Sequence, residues 1–139
     1  MYVFRDYKES DFNEVMKLWE DTGMGSPQRG DNNEIIVRTI KSGGKFIIME
    51  NKDTGEIIGT SWLTTDQRRI YLHHFGIKPQ YQGQGLSHAL AEESIKFART
   101  KNMQIKLEVH KTNTKAIKLY EKHGFKYLGD YLVYIIRKF

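Results

Sequence analysis

The sequence has no cysteine, only two prolines and no long apolar run. The lack of cysteine excludes disulfides, thiolate nucleophiles and metal sites with cysteine ligands. Because no run of about eighteen apolar residues occurs, the sequence predicts no membrane span. Its start, MYVFRDYKESDF, becomes polar within a few residues and lacks the apolar core of a signal peptide. We therefore expect a cytoplasmic protein with no membrane partner.

What the sequence does contain is typical of one globular domain. With 39% hydrophobic and 28% charged residues over 139 positions, the chain can bury a core, and no repeat or linker divides it. We predict a single domain over residues 1–139. The net charge of +5 favours an anionic partner, although the basic residues are scattered rather than grouped. On charge alone, nucleic acid and a phosphorylated small molecule both remain open.

The spacing of apolar residues predicts four helices and a set of strands. The predicted helices cover residues 10–21, 33–43, 86–100 and 113–124, the last with an Asn113 N-cap and Gly124 after its end. The predicted strands lie in residues 45–65 (two strands, with a turn at 53–55), 68–77, 103–110 and 125–139 (with a break at 129–130). This order predicts an α/β fold in which helices cover the faces of a mixed sheet.

The segment MQIKLEVH, residues 103–110, alternates between apolar and polar side chains over its whole length. Such alternation predicts a strand with one buried and one solvated face. The predicted buried face consists of Met103, Ile105, Leu107 and Val109, and the other face of Gln104, Lys106, Glu108 and His110.

The stretch YQGQGLSH, residues 81–88, places two glycines directly before a predicted helix. The N-terminus of a helix carries free N–H groups and a partial positive charge, and glycine lets an anion approach the backbone closely. The spacing matches neither standard nucleotide loop, since the Gly-Lys-Ser/Thr ending and the further glycines of the dinucleotide fingerprint are missing. The residues alone therefore leave an anion site and a plain connection as alternatives.

Two motifs resemble those of the GNAT superfamily of acyl-CoA-dependent N-acyltransferases. Residues 82–87, QGQGLS, resemble its Q/R-x-x-G-x-G/A signature, with Ser87 in place of the final Gly or Ala. Residues 107–125, LEVHKTNTKAIKLYEKHGF, are similar to the family's strand followed by N-x-x-A-x-x-L-Y-x-x-x-G-F. The resemblance implies a GNAT fold, a central mixed β-sheet flanked by about four α-helices, and an N-acetyltransferase that uses acetyl-CoA and no metal.

The resemblance also implies where coenzyme A would bind. Backbone N–H groups in the glycine loop would hold its pyrophosphate, and the end of the preceding strand would pair with its pantetheine arm. Asn113 would border this arm in addition to capping a helix. The implied cofactor-binding residues are Phe75, Gly76, Ile77, Gln82, Gly83, Gln84, Gly85, Leu86, Ser87 and Asn113.

Tyr120 and Glu108 are the catalytic residues that the resemblance implies. Tyr120 matches the residue that protonates the departing thiolate, and Glu108 the general base for the incoming amine. Without the resemblance, the residues favour a core tyrosine at Tyr120 and leave a solvated carboxylate beside Lys106 as the alternative for Glu108. His110 stands where related sequences have arginine.

His73 and His74 are adjacent on a predicted strand and are expected to point to opposite faces, which argues against a shared metal ion. One of them can line the acceptor cleft, but the residues favour a packed or surface histidine in each case. The loop TGMGSPQRG, residues 22–30, occupies the region that covers the acceptor in the family. Nothing in it identifies the acceptor, which can be a protein N-terminus, a polyamine, an amino acid or an antibiotic.

Only fifteen residues follow Gly124, with a tight turn expected at Gly129 and Asp130. We expect an acceptor side that is either open or closed by a second subunit through YLVYII, residues 131–136, which makes a homodimer an option. Two further functions stay as alternatives: a noncatalytic acyl-CoA-binding module of the same fold, and a small basic nucleic-acid-binding domain. The absence of a base-stacking or helix-turn-helix motif argues against nucleic acid.

Overall fold

The computed structural model describes residues 1–24 and 30–139. In chain order, the elements are β1 (Tyr2–Asp6), α1 (Phe12–Asp21), α2 (Asn33–Lys41), β2 (Lys45–Asn51), β3 (Ile57–Thr65), β4 (Arg69–Ile77), α3 (Leu86–Lys101), β5 (Gln104–Leu107) and α4 (Thr114–Lys122). Short 3₁₀ turns at Glu9–Asp11 and Pro79–Tyr81 precede α1 and α3. Residues 25–29 of the predicted acceptor-covering loop lie outside the described residues.

Within the described residues the strands form one sheet in the order β1-β2-β3-β4-β5. Strands β1 to β4 pair antiparallel, and β5 pairs parallel to β4. The β4–β5 register runs only from Arg69 opposite Gln104 to Leu72 opposite Leu107. Because β4 continues to Ile77, its second half extends beyond the recorded pairing with β5. The two strands therefore part after Leu72.

Both faces of the sheet are covered, so the central strands are buried on both sides. On β2, Phe46 and Ile48 belong to a cluster with α1 and α2, whereas Ile47 and Met49 belong to a cluster with α3. Successive residues of β2 therefore face opposite clusters, and both sets are apolar, as a strand between two layers of helices requires. The predicted mixed sheet with helices on its faces is confirmed.

The predicted ends of α4 are also confirmed, because the signals there are local. The Asn113 side chain accepts a hydrogen bond from the N–H of Ala116 at 3.2 Å, and Gly124 follows the helix with φ +97°. Helix α3 begins at Leu86, as predicted, directly after Gly85. None of the helices in the described residues is long and apolar enough to cross a membrane.

Strand β1 was missing from the sequence-based prediction. It is an edge strand whose residues are half-buried or exposed, so it has no strong apolar pattern. Its backbone pairs with β2 from Tyr2 to Asp6, and Arg5 adds polar contacts by donating to Glu50 on β2 at 2.7 Å and to Asp11 at 2.8 Å. A pattern that relies on burial does not detect such a strand.

The prediction for residues 103–110 is wrong at both ends. Strand β5 covers only Gln104–Leu107, and Val109, expected on the buried face, is 36% exposed. Glu108 and His110 are likewise exposed and lie outside the strand. The described pairing with β4 ends at Leu107, so the residues after it have no ladder that would keep the alternation in place.

The strand prediction for residues 125–139 is also wrong for this structure. The segment contains no strand, and all of its residues after Phe125 are exposed. A strand needs a neighbouring strand to satisfy its backbone N–H and C=O groups. The Tyr, Val and Ile residues of the segment favour a strand, but the described chain supplies no neighbour for it.

Candidate active site

The glycine loop connects β4 to α3 at the edge where β4 and β5 part. Gly83 and Gly85 have φ values of +81° and +78°, a left-handed conformation that favours glycine. A Cβ atom added at either position would have no atom of the described residues within 4 Å. The two glycines are therefore required by the backbone conformation and not by crowding, and the space in front of them is open.

Side chains fix the loop to the strands behind it. The Gln82 Nε2 donates to the carbonyl of Ile77 at 2.8 Å, and the Tyr81 hydroxyl donates to Glu56 Oε1 at 2.7 Å. Glu56 also pairs with Lys78, and this hydrogen bond raises the pKa of Lys78 and lowers the pKa of Glu56. The loop therefore has a defined position relative to the end of β4.

Helix α3 points its N-terminus at this loop. It runs for 16 residues from Leu86, and Gly85 serves as its N-cap without a side chain to occupy the first N–H groups. The first N–H groups of a helix have no intrahelical partner and lie at the positive end of the helix dipole. Together with the open glycines, this arrangement suits a phosphate-like anion.

The part of β4 beyond Leu72 borders the gap between β4 and β5, which we call the slot. Phe75 and Ile77 pack with the cluster under α3, while Gly76 faces α1, where an added Cβ would lie 2.7 Å from the Met24 Cε atom. Opposite Gly76, the β3–β4 register shifts between Thr60 and Trp62. Gly76 thus lies close to the Met24 side chain and beside a bulge.

Tyr120 lies on α4 and faces this slot. Its ring meets Phe75 and Phe125 edge to face, with both centroids at 5.7 Å. Burial raises the pKa of Tyr120 to about 12, so its hydroxyl stays protonated at neutral pH. The two interpretations of Tyr120 are compatible, since the ring packs in the apolar cluster and touches a residue of the slot.

Glu108 directly follows β5, at the point where the slot opens. Its neighbour Leu107 is opposite Leu72, the last paired residue of β4. The Glu108 side chain is exposed rather than held on a strand face. Glu108 thus follows the last β5 residue that pairs with β4, and Tyr120 contacts β4 through Phe75.

A buried pair of His74 and Asp31 was not predicted. His74 Nε2 lies 2.7 Å from Asp31 Oδ2, the side chains are 9% and 8% exposed, and His74 has φ +43°. The His74 ring lies 4.2 Å from that of Trp19 and 5.3 Å from that of Trp62. Asp31 is 43 positions away, so no local pattern could have indicated the pair.

His73 lies beside the same tryptophan, with its ring 6.0 Å from that of Trp62. The expectation that His73 and His74 point to opposite faces is therefore wrong, because the left-handed backbone at His74 interrupts the alternation. His73 Nε2 is 2.8 Å from the Thr64 hydroxyl. Within residues 1–24 and 30–139, no three His, Asp or Glu side chains are arranged to hold a metal ion.

A chain of hydrogen bonds joins α3 to α4. His88 Nδ1 is 2.9 Å from His123 Nε2, and His123 Nδ1 is 2.8 Å from Glu92 Oε1. Because the carboxylate only accepts, His123 donates to it from Nδ1 and, when neutral, accepts from His88 at Nε2. This chain fixes the helix that carries Tyr120 against the helix that starts at the glycine loop.

A five-stranded mixed sheet whose parallel strands part beside a glycine loop defines an acyltransferase-type α/β fold. The family model of the acetyltransferase (GNAT) family matches residues 6–125. The chain belongs to this family. The sequence-based identification of the family and of the fold class is thereby confirmed.

Solved structures with this fold include an acetyltransferase from Streptococcus agalactiae, with 21% identity and a TM-score of 0.81 over 97% of this chain and 91% of that one. A predicted acetyltransferase from Clostridium acetobutylicum, solved with acetyl-CoA, is 16% identical, with a TM-score of 0.75 over 97% and 96% of the two chains. The ribosomal-protein-S18-alanine N-acetyltransferase from Escherichia coli is 20% identical, with a TM-score of 0.76 over 91% and 78%.

Proposed function

We propose that the protein is an N-acetyltransferase that moves the acetyl group of acetyl-CoA directly to a primary amine in a ternary complex. The amine belongs to a small molecule or to a protein. One observation carries the proposal: the end of β4, which pairs with β3 but is past its pairing with β5, leads through a short 3₁₀ turn into an open glycine loop at the N-terminus of α3. A protonated tyrosine, Tyr120, contacts that same strand end through Phe75.

The residues of this region suit coenzyme A. The N–H groups of residues 82–87 would hold the pyrophosphate, since a Cβ built at Gly83 or Gly85 meets none of the described atoms within 4 Å. Backbone groups of Phe75, Gly76 and Ile77 would pair with the pantetheine arm, beside Asn113. Bound acetyl-CoA supplies the thioester whose acyl group is transferred.

Two side chains would handle the protons. An alkyl amine with a pKa of about 10.4 is protonated at neutral pH and must lose a proton before it attacks. Glu108 would accept this proton, directly or through water, and Tyr120 would donate a proton to the departing sulfur. A cysteine-linked acyl intermediate is excluded, because the chain contains no cysteine.

The function is tested by following free thiol release from acetyl-CoA in the presence of a panel of amines. The panel contains polyamines, amino acids, aminoglycosides and peptides with free N-termini. We expect free thiol to appear with at least one amine, and that amine to gain about 42 Da because an acetyl group replaces one of its hydrogens. Binding of acetyl-CoA without transfer to any amine would favour the noncatalytic module instead.

The cofactor site is tested by Gly85→Val. Its side chain would stand where a phosphate meets the backbone, so we expect at least a tenfold loss of coenzyme A affinity in calorimetry, about 1.4 kcal/mol. Gly55→Val is the matched control: Gly55 has the same φ of +78° and equally open surroundings, but lies in the β2–β3 turn. Equal affinities of the two variants would contradict the assignment of the loop.

A further inference from the structure

The last fourteen residues carry large apolar side chains that are exposed in the part of the chain that the structure describes. We call residues 126–139 the C-terminal segment. Its large apolar side chains are each at least 60% exposed: Tyr127, Leu128, Tyr131, Leu132, Val133, Tyr134, Ile135, Ile136 and Phe139. The preceding residue, Phe125, is anchored against Tyr120, so the segment leaves the domain next to the candidate active site.

The exposed area is large enough for a stable interface. An aromatic side chain buries roughly 150 Å² or more, so the four aromatic residues of the segment would bury about 600 Å². A specific interface buries about 800 Å² per partner, and monomeric proteins rarely expose contiguous apolar patches above a few hundred Å². The aliphatic residues between the aromatic ones add to this area. The segment therefore has the size and composition of one side of an interface.

The sheet offers an edge that fits such a segment. β5 is the outermost strand, and β4 occupies only one of its sides. An edge strand presents a row of N–H and C=O groups to which an extended chain can add. The Tyr, Val and Ile residues of the segment favour strand conformation. Ile105 and Leu107 of β5 pack in the same cluster as Phe125, so this edge adjoins the origin of the segment.

We propose that the C-terminal segment pairs with the outer edge of β5 in a second copy of this chain. Each copy carries both the segment and the edge, so one reciprocal exchange satisfies both in a closed, two-fold symmetric dimer. The described chain leaves its own segment exposed and its own β5 at the edge of the sheet, which is the arrangement that an exchange between copies requires.

The exchange would also complete the candidate site. A strand added along β5 extends the ladder beyond Leu107 and covers Val109, which is 36% exposed in the single chain. Glu108 lies between these two residues. The partner's segment would therefore order the backbone that carries Glu108. This consequence for the site rests on the proposed function, whereas the dimer itself does not.

The first test is the oligomeric state of the full chain by light scattering and sedimentation. We expect the full chain to have twice the mass of one chain. A variant that lacks residues 126–139 should have the mass of one chain. In case the truncated chain does not fold, Val133→Lys with Ile135→Lys keeps the length and removes two strand-like apolar residues. A full-length monomer, or a dimer that survives either change in a folded chain, would overturn the proposal.

The second test separates exchange from folding back within one chain, and it uses the absence of cysteine. Gln104→Cys, on the exposed side of β5, is mixed with chains that carry one cysteine at a position between 131 and 136. Exchange predicts a disulfide between different chains in the mixture. If the segment instead folds back onto its own chain, the mixture gives no cross-link between chains. A chain that carries both cysteines then forms an internal disulfide and stays a monomer. This pair of results would refute the exchange.

The third test concerns Glu108 and does not depend on activity. We expect slow amide hydrogen exchange over residues 108–110 in the dimer, and at least a tenfold faster exchange in the variant without the segment. The amides of β3, in the centre of the sheet, serve as the internal control and should exchange equally in both. If a dimer forms but residues 108–110 exchange as fast as in the truncated chain, the dimer stands and its role in the site is refuted.

Discussion

Among single residues, Tyr120 shows that an altered pKa alone does not identify an acid. Burial raises the pKa of Tyr7 as well as that of Tyr120 to about 12. Tyr7 lies near the carboxylates of Asp11 and Glu9 on the α1 side of the sheet, in a different apolar cluster from Tyr81 and Leu86, which flank the two glycines. Tyr120 instead contacts the strand that forms the slot. Its position, rather than its pKa, makes it the candidate.

Tyr120→Phe is expected to lower kcat severalfold to about a hundredfold and to leave the affinity for acetyl-CoA nearly unchanged. The effect should lie towards the lower end of the roughly 10²–10⁴-fold range for acid–base catalysis, because a thiolate leaves easily. Steady-state kinetics and calorimetry measure the two quantities. Tyr2→Phe is the control, since Tyr2 packs in the same cluster and meets Phe4 edge to face.

Glu108→Gln is expected to lower kcat/KM for the amine and to flatten the acid limb of the pH–rate profile. The amide has a similar shape but cannot accept the proton of the amine. Glu121→Gln, an exposed carboxylate beside Tyr120 on α4, should leave both quantities unchanged. If Glu108→Gln and Tyr120→Phe both keep the kcat of the unaltered enzyme at every pH, other residues act as base and acid.

The sequence could predict those parts of the site that are local in the chain. The helix start after Gly85 and the Asn113 cap could be located from neighbouring residues, whereas the proposed role of residues 82–87 comes from the family resemblance. The contact between His74 and Asp31 could not be predicted, because it joins distant positions and needs a backbone bulge. The fold, and not the local sequence, creates such pairs.

At the level of elements, burial decides which strands the sequence reveals. β2 and β3 are covered on both faces and appear as apolar runs, whereas the edge strand β1 is held by polar contacts and was missed. At the opposite edge, β5 is shorter than its sequence pattern, and the C-terminal segment has the pattern without a strand. Both errors occur where a strand depends on a neighbour that the single chain does not provide.

The contact between α3 and α4 is expected to couple His88 and His123 energetically. A buried or half-buried hydrogen bond contributes about 1 kcal/mol to the free energy of unfolding. His88→Ala and His123→Ala should therefore each destabilise the protein, and the double variant by about 1 kcal/mol less than their sum. Urea denaturation measures the three values. Strict additivity would mean that the contact does not hold the two helices together.

For the molecule as a whole, stability should depend on pH in two separate ranges. Burial, assisted by the charge of nearby His74, lowers the pKa of His73 below its usual value of about 6.5. Although burial acts to raise the pKa of Asp11, hydrogen bonds from Arg5 and from the Lys8 N–H outweigh it and lower that pKa. In each case the folded chain binds a proton less readily than the unfolded chain. Both groups therefore add to the free energy of unfolding at neutral pH, and both contributions are lost in acid.

As the pH falls, we expect the free energy of unfolding to decrease first because of His73. The unfolded chain begins to bind a proton at His73 at about pH 6.5, but at Asp11 only near pH 4. The free energy of unfolding should fall between pH 7 and pH 5, and His73→Gln should reduce this slope while the loss below pH 4 remains. Urea titrations at a fixed chain concentration measure the slope, and His110→Gln, an exposed histidine, is the control. The comparison concerns slopes, so a constant cost of the substitution does not affect it. If His73→Gln and His110→Gln give the same slope, the lowered pKa of His73 does not cause the loss of stability between pH 7 and pH 5.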